Sequence, residues 1–270
     1  MDVASRPTAL VTGASAGIGE ALARVVAAHG FDLVLAARRE DRLRALAREL
    51  TERFQVDARV LVADLADPTA PARIFEKCRA GGRRVDLLVN NAGYGLAGGF
   101  LDATWEEHAR FIQVMMTSAA ELTWRFLPSM IEHRYGRIIN VASLAGLVPG
   151  SAGHTLYAAS KAFLIKLSES VALENRRHGV HVTALCPGFT HTEFHDVSGT
   201  RDLVSHLPAW MWMDAERVAR EGYDAVMRGQ IVYVPGRANR TIALFIRLLP
   251  QALMMSIARR QGRRFRKVAP

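Results

Sequence analysis

Short apolar, β-rich runs alternate with helix-length patterned stretches almost from one end of this chain to the other, and that alternation narrows the fold more than any other feature. The strand-like runs are Ala9–Thr12, Asp32–Ala37, Arg59–Ala63, Asp86–Asn90, Arg137–Ala142, His181–Leu185 and Ile231–Val234. Most are continuously apolar, as expected of parallel strands covered on both faces by helices. Helical stretches lie between them, among them Ile18–Ala28, Glu40–Arg53, Trp105–Glu132 and Thr155–Arg177. This βαβα order predicts an α/β fold: one doubly wound parallel sheet in a single domain, with ligands outside the carboxyl ends of the strands. The expected catalytic domain spans residues 1–236, and residues 237–270 form a basic, apolar tail.

With 270 residues, half of them hydrophobic, the chain can bury a sizeable core. Its two cysteines, Cys78 and Cys186, have no partner at metal-ligand spacing. A reducing compartment is expected, with neither a disulfide framework nor a zinc site. Met1 to Pro7 carries no apolar leader, so export is not expected and the cytoplasm is. The net charge of +9 sits in the tail: after Asp224 there are ten basic residues and no acidic one. The rest of the chain is close to neutral, so the positive charge belongs to the tail and not to the fold. No nucleic-acid partner is expected, because no reading module is present and Phe265 is the only aromatic among the last basic residues.

The first strand runs into Thr12-Gly13-Ala14-Ser15-Ala16-Gly17-Ile18-Gly19 and then a helix. Glycine at such a turn lets the backbone approach a phosphate, which the helix N-terminus stabilises. A tight turn with close helix packing is the other reading of the spacing. The spacing G-x-x-x-G-x-G also differs from the common G-x-G-x-x-G fingerprint.

That variant resembles the first turn of the short-chain dehydrogenase/reductase family, similar in particular to bacterial ketoacyl reductases of the NADP type. Three further segments carry the resemblance: Asn90-Asn91-Ala92-Gly93, Tyr157-Ala158-Ala159-Ser160-Lys161, and Pro187-Gly188. The match covers roughly residues 7 to 235 with the motifs in order, and it implies a Rossmann-like domain. By the resemblance, Gly13, Ser15, Ile18 and Gly19 hold a pyrophosphate and ribose. Asp64 and Leu65 flank the adenine, and Asn91, Ala92 and Gly93 shape the cofactor cleft.

The second strand bears on which nicotinamide cofactor is used. An acidic residue at its end would accept hydrogen bonds from the adenosine ribose. Here the strand ends Leu35-Ala36-Ala37-Arg38-Arg39, with Ala37 at the acidic position. A carboxylate would repel a 2′-phosphate, whereas Arg38 and Arg39 can pair with one. NADPH is the expected cofactor.

Tyr157 and Lys161 are spaced i, i+4, so both project from one helix face. A tyrosine with a pKa of about 10 is a poor base at neutral pH, and a neighbouring ammonium would favour its phenolate. The resemblance makes Tyr157 the acid in reduction and the base in oxidation. It has Ser143 hold the substrate oxygen and Lys161 bind the nicotinamide ribose. Pro187 and Gly188, with Thr190 and Thr192, would support the carboxamide, although a plain turn also accounts for the threonines. One position departs from the family pattern. Many relatives read V-N-x-T midway along the fourth helix, whereas this chain reads Val114-Met115-Met116-Thr117. A thioether cannot donate a hydrogen bond, so a relay to the lysine would be rerouted or weakened.

The stretch Phe194–Met213 follows the sixth strand, where a substrate lid would lie. Its Leu203, Leu207, Pro208, Trp210, Met211, Trp212 and Met213 suit a long apolar ligand or a packed core equally. The expected activity is reduction of an apolar or lipid-like ketone, such as a 3-oxoacyl chain, in lipid metabolism. A catalytically weakened nucleotide-binding sensor or scaffold is the alternative. The expected partners are the ketone and further copies of the chain. In the tail, Ile242, Phe245, Ile246, Leu249, Leu253 and Ile257 form an apolar stripe that Pro250 should kink or divide. The stripe either packs on protein or lies on an anionic membrane with the cluster at Arg259–Lys267; it is too interrupted to span one.

Overall fold

In a computed structural model, residues 6–96, 98–150, 153, 155–194, 208–250 and 253–256 are described. Each apolar run becomes a strand, in most cases within a residue of the expected bounds. The strands are β1 (Thr8–Thr12), β2 (Asp32–Ala37), β3 (Ala58–Val62), β4 (Val85–Asn90), β5 (Gly136–Val141), β6 (Val180–Leu185), β7 (Phe189–His191), β8 (Trp212–Asp214) and β9 (Val232–Tyr233). The main sheet has the order β3-β2-β1-β4-β5-β6-β9, parallel throughout. The helices are α1 (Gly17–Ala28), α2 (Glu40–Phe54), α3 (Ala70–Ala80), α4 (Trp105–Ile112), α5 (Ser118–Glu132), α6 (Thr155–Asn175), α7 (Ala215–Met227) and α8 (Arg237–Leu248).

The strands alternate their side chains between two apolar layers. Ala9 and Val11 of β1 pack with Leu22 and Val26 of α1 and Leu43 and Leu50 of α2. Leu10 faces the other way, toward Ile74 of α3 and Leu122 and Phe126 of α5. Burial on both faces explains why the central strands read as unbroken apolar runs. At the sheet edge, β3 loses that cover and Val62 is exposed.

The expected single helix over Trp105–Glu132 is three pieces. Thr104 starts α4 with a capping box, its hydroxyl accepting from the Glu107 amide and the Glu107 carboxylate accepting from its own. A π-helical turn, Gln113–Thr117, then separates α4 from α5. Met115, at its centre, is buried against Gly93, and its Sδ accepts the Tyr94 amide at 3.4 Å. The short parallel pair β7 and β8 was not foreseen, because three-residue strands are too brief to show a periodicity. At the other end, α8 stops at Leu248, and Leu249 is extended before Pro250, as the ring requires of its predecessor.

Candidate active site

Strand order reverses at β1, which pairs with β2 on one side and β4 on the other, opening a crevice at their carboxyl ends. Thr12 closes its floor. Its Oγ1 donates to the Val89 carbonyl at 3.1 Å and accepts the amides of Asn91 at 3.0 Å and Ala92 at 3.2 Å. The Asn91 side chain donates in return to the carbonyls of Thr12 and Gly13, at 3.0 and 3.2 Å. Gly13 has φ 65°, in the left-handed region, and a Cβ there would lie 2.7 Å from Asn91 Nδ2. At Gly19 a Cβ would lie 2.3 Å from the same nitrogen and 2.4 Å from the Gly13 oxygen. Ser15 is buried and Ile18 half-buried, and the turn delivers the N-terminus of α1 to the crevice. A backbone cradle of this kind fits the phosphates of a dinucleotide. Gly19→Ala should therefore break the Asn91 bonds and cost roughly 1–3 kcal/mol through overpacking. Denaturant midpoints measured beside dinucleotide titrations would check it, since both should fall together.

At the end of β2, Ala37 is half-buried and Arg38 and Arg39 are exposed. Arg39 folds back over the glycine turn, its Nε 3.2 Å from Ser15 Oγ and its Nη2 3.4 Å from the Ser15 carbonyl. Its Nη1 donates to Glu193 at 2.9 Å, and Arg42 donates to the same carboxylate at 2.6 Å. Hydrogen bonds from Arg39 and then Arg42 hold Glu193 below the usual carboxylate range. Sequence reading missed both of these partners. Arg42 lies one turn into α2 and was legible as a further basic residue, whereas nothing local connects Glu193 to a strand end 154 residues away. Asp64 Oδ1 accepts the Ala66 amide at 3.0 Å. Leu65 turns its side chain into the core, and its carbonyl accepts from Ser118 Oγ at 3.0 Å.

Beyond the crevice, the ends of β5 and β6 carry the remaining candidates. Lys161, on α6, is 5% exposed and its Nζ donates to the Val141 carbonyl at 2.8 Å. Gly146 lets this part of α6 come close, since a Cβ there would meet the Lys161 backbone at 2.6 Å. Burial pulls the ammonium down to about 8, with the nearby Cys186 opposing it. One turn earlier, the half-buried Tyr157 has its ring centroid 5.7 Å from that ammonium. Burial pushes its phenol up to about 12 against the pull of a Ser143 hydrogen bond. The expected lowering by lysine does not arise here: the ammonium is engaged with the Val141 carbonyl, and desolvation of the phenolate dominates. A phenol that stays protonated at neutral pH is an available proton donor.

Ser143 lies two residues beyond the end of β5, where it caps the short turn Leu144–Gly146; its Oγ accepts the Ala145 amide at 3.1 Å and lies 3.5 Å from the Pro187 carbonyl. That carbonyl also accepts the Leu144 amide at 2.9 Å, which binds the serine loop to the Pro187-Gly188 turn. The structure therefore brings Ser143, Tyr157, Lys161 and Pro187 together. Thr190 is buried with its hydroxyl donating to the Gly188 carbonyl at 3.1 Å, and Thr192 Oγ1 accepts the Phe194 amide at 3.3 Å. Phe194 places its ring 5.6 Å from that of Tyr157. Of the apolar stretch beyond it, Met213 is core, with Sδ 3.2 Å from Asn239 Nδ2, and Trp212 stacks on His191. Leu203 and Leu207 lie outside the described residues.

The profile of a family described as short chain dehydrogenase matches residues 7–202, which include the glycine turn, Ser143, Tyr157, Lys161 and the Pro187-Gly188 turn. The chain belongs to the short-chain dehydrogenase family. As a member of that family it is an oxidoreductase, and curated relatives carry the same label. It is 37% identical to Oxidoreductase UcpA of Escherichia coli K12, over 68% of this chain and 70% of that one. To the 3-oxoacyl-[acyl-carrier-protein] reductase FabG of the same strain it is 36% identical, over 68% and 74%. Among solved structures, a short-chain dehydrogenase from Sphingobium yanoikuyae in complex with NADPH superposes with a TM-score of 0.80. That structure is 33% identical, over 98% of each chain. The short-chain dehydrogenase fold thus accounts for the sheet order, the glycine crevice and the tyrosine helix together.

Proposed function

We propose that this short-chain dehydrogenase reduces the ketone of an apolar, lipid-like substrate, a 3-oxoacyl chain being the first choice, with NADPH as reductant. The observation that carries the reading is the convergence of Ser143, Tyr157 and Lys161 beside the Pro187 turn, one strand along from the glycine crevice. Bound NADPH supplies a hydride to the carbonyl carbon. Ser143 Oγ hydrogen-bonds the carbonyl oxygen, and Tyr157 Oη delivers the proton that completes the alcohol. The raised phenol of Tyr157 supports the acid role, because the group is protonated throughout the neutral range. Lys161, positively charged below about 8, attracts the electron pair left on the tyrosine oxygen and binds the ribose hydroxyls. Gly13, Ser15, Ile18 and Gly19 would hold the pyrophosphate and ribose, Asp64 and Leu65 would flank the adenine, and Asn91, Ala92 and Gly93 would shape the cofactor cleft. Pro187, Gly188, Thr190 and Thr192 hold the carboxamide.

Ala37 in place of a carboxylate, with Arg38 and Arg39 after it, supports the 2′-phosphorylated cofactor. The NADPH complex of the Sphingobium relative and the 3-oxoacyl substrate named for the Escherichia coli relative agree with these choices. Work in lipid metabolism in the cytoplasm, as a homo-oligomer, completes the reading. Optical measurement of NADPH oxidation against ketones graded in chain length tests it, and kcat/KM should climb with apolar length. Tight NADPH binding without turnover of any ketone would replace it with the sensor reading that Met115 favours.

A further inference from the structure

Helix α8 has one face inside the catalytic unit and one outside it. Asn239 is 5% exposed and donates to the Pro235 carbonyl, while Ala243 packs in a cluster with Ala184, Cys186 and Val234. On the opposite face Leu244, Phe245 and Leu248 are 56%, 60% and 71% exposed. Past the Pro250 break, Leu253 and Met255 are 47% and 38% exposed. The turn Ala209–Met211 packs against α8, and its Trp210 is 62% exposed. Exposed apolar residues scattered singly need no explanation, but a concentration of them on one helix and its neighbouring turn does.

Every charged residue of α8 itself is basic, and among the described residues the one carboxylate paired with it is that of Glu221 on α7, 3.9 Å from Arg240. Arg237 and Arg240 lie on α8 itself, and Arg259, Arg260, Arg263, Arg264, Arg266 and Lys267 follow in the sequence, with no acidic residue after Asp224. A second copy docking face to face would bring two such segments together, which like-charge repulsion opposes. A nucleic acid would answer the charge and leave the leucines and the phenylalanine in water. An anionic bilayer answers both, and an exposed tryptophan suits its interfacial layer.

We infer that α8 docks the protein on an anionic lipid surface, with Leu244, Phe245, Leu248 and Trp210 in the interfacial layer and the arginines on the headgroups. Among the described residues no helix is long and apolar enough to cross a membrane, so the contact is peripheral. It does not depend on the ketone reading, although a lipid-like substrate would be supplied from the same surface. The test is flotation of the full chain with vesicles of phosphatidylglycerol and phosphatidylcholine. At low salt most of the protein should rise with them, and much less at high salt or with phosphatidylcholine alone. Phe245→Ser combined with Leu248→Ser should weaken that binding about tenfold or more, since two apolar anchors are lost, and leave the melting temperature unchanged. Absence of flotation on anionic vesicles at low salt overturns the inference. So does undiminished flotation of the double variant, which would reduce the contact to charge alone. Failure of the wild-type chain to float, with a smaller particle in light scattering for the double variant, would make the face a subunit contact instead.

Discussion

Replacing Tyr157 with phenylalanine is expected to lower ketone turnover by roughly 10²- to 10⁴-fold, the range that a positioned acid contributes. The ring stays, so its contact with Phe194 and its place on α6 stay with it. Only the hydroxyl is removed, and NADPH affinity should change little. Lys161→Ala is the contrasting substitution. It leaves the Val141 carbonyl without its buried donor and removes the charge assigned to the ribose, so stability, cofactor binding and turnover should all fall. Steady-state kinetics paired with a cofactor titration separate the two patterns. A Tyr157→Phe protein retaining most of its turnover would end the assignment of the proton to this residue.

The second large effect concerns the cofactor. Ala37→Asp combined with Arg38→Ala is expected to turn a preference for NADPH into one for NADH. Two unit charges about 4 Å apart near a protein surface repel by about 4 kcal/mol at an effective dielectric constant of about 20. Even three-quarters of that, about 3 kcal/mol, moves the affinity ratio by roughly a hundredfold. The pair of substitutions leaves Arg39 on Ser15 and both arginine bonds to Glu193 in place, so the glycine turn is undisturbed. Fluorescence titration of both proteins with both cofactors reads the ratio directly. Equal wild-type affinities would refute the reading of Ala37 and its arginines.

Much of the candidate active site was legible because its motifs are local. The Gly13–Gly19 turn, the Tyr157–Lys161 spacing and the Ala37-Arg38-Arg39 strand end each lie within a few residues, where backbone periodicity and side-chain chemistry act together. The same holds for the sheet: burial on two faces writes an apolar run into the chain, and the runs at Ala9–Thr12 and Asp86–Asn90 became β1 and β4 as neighbours. The π-turn at Gln113–Thr117 left no such mark. Hydrophobic spacing cannot distinguish it from the helices on either side, and it was resolved only by Met115 settling against Gly93 and the Tyr94 amide.

By itself, the sequence determined the α/β alternation, the phosphate-fitting turn and the placing of tyrosine and lysine on one helix face, since each follows from contacts a few residues apart. Tertiary structure alone decided how those parts are charged and joined. Glu193 reaches Arg39 and Arg42 only because the fold brings the segment after β7 beside the end of β2 and the first turn of α2. Tyr157 lies above its ordinary pKa, not below it, because desolvation depends on everything packed around a side chain and not on the lysine four residues along. The tail likewise acquires two unlike faces only when Asn239 and Ala243 find Pro235, Met213 and Cys186. Burial is a property of the assembled fold, and the apolar residues left outside are defined by what the fold has already covered.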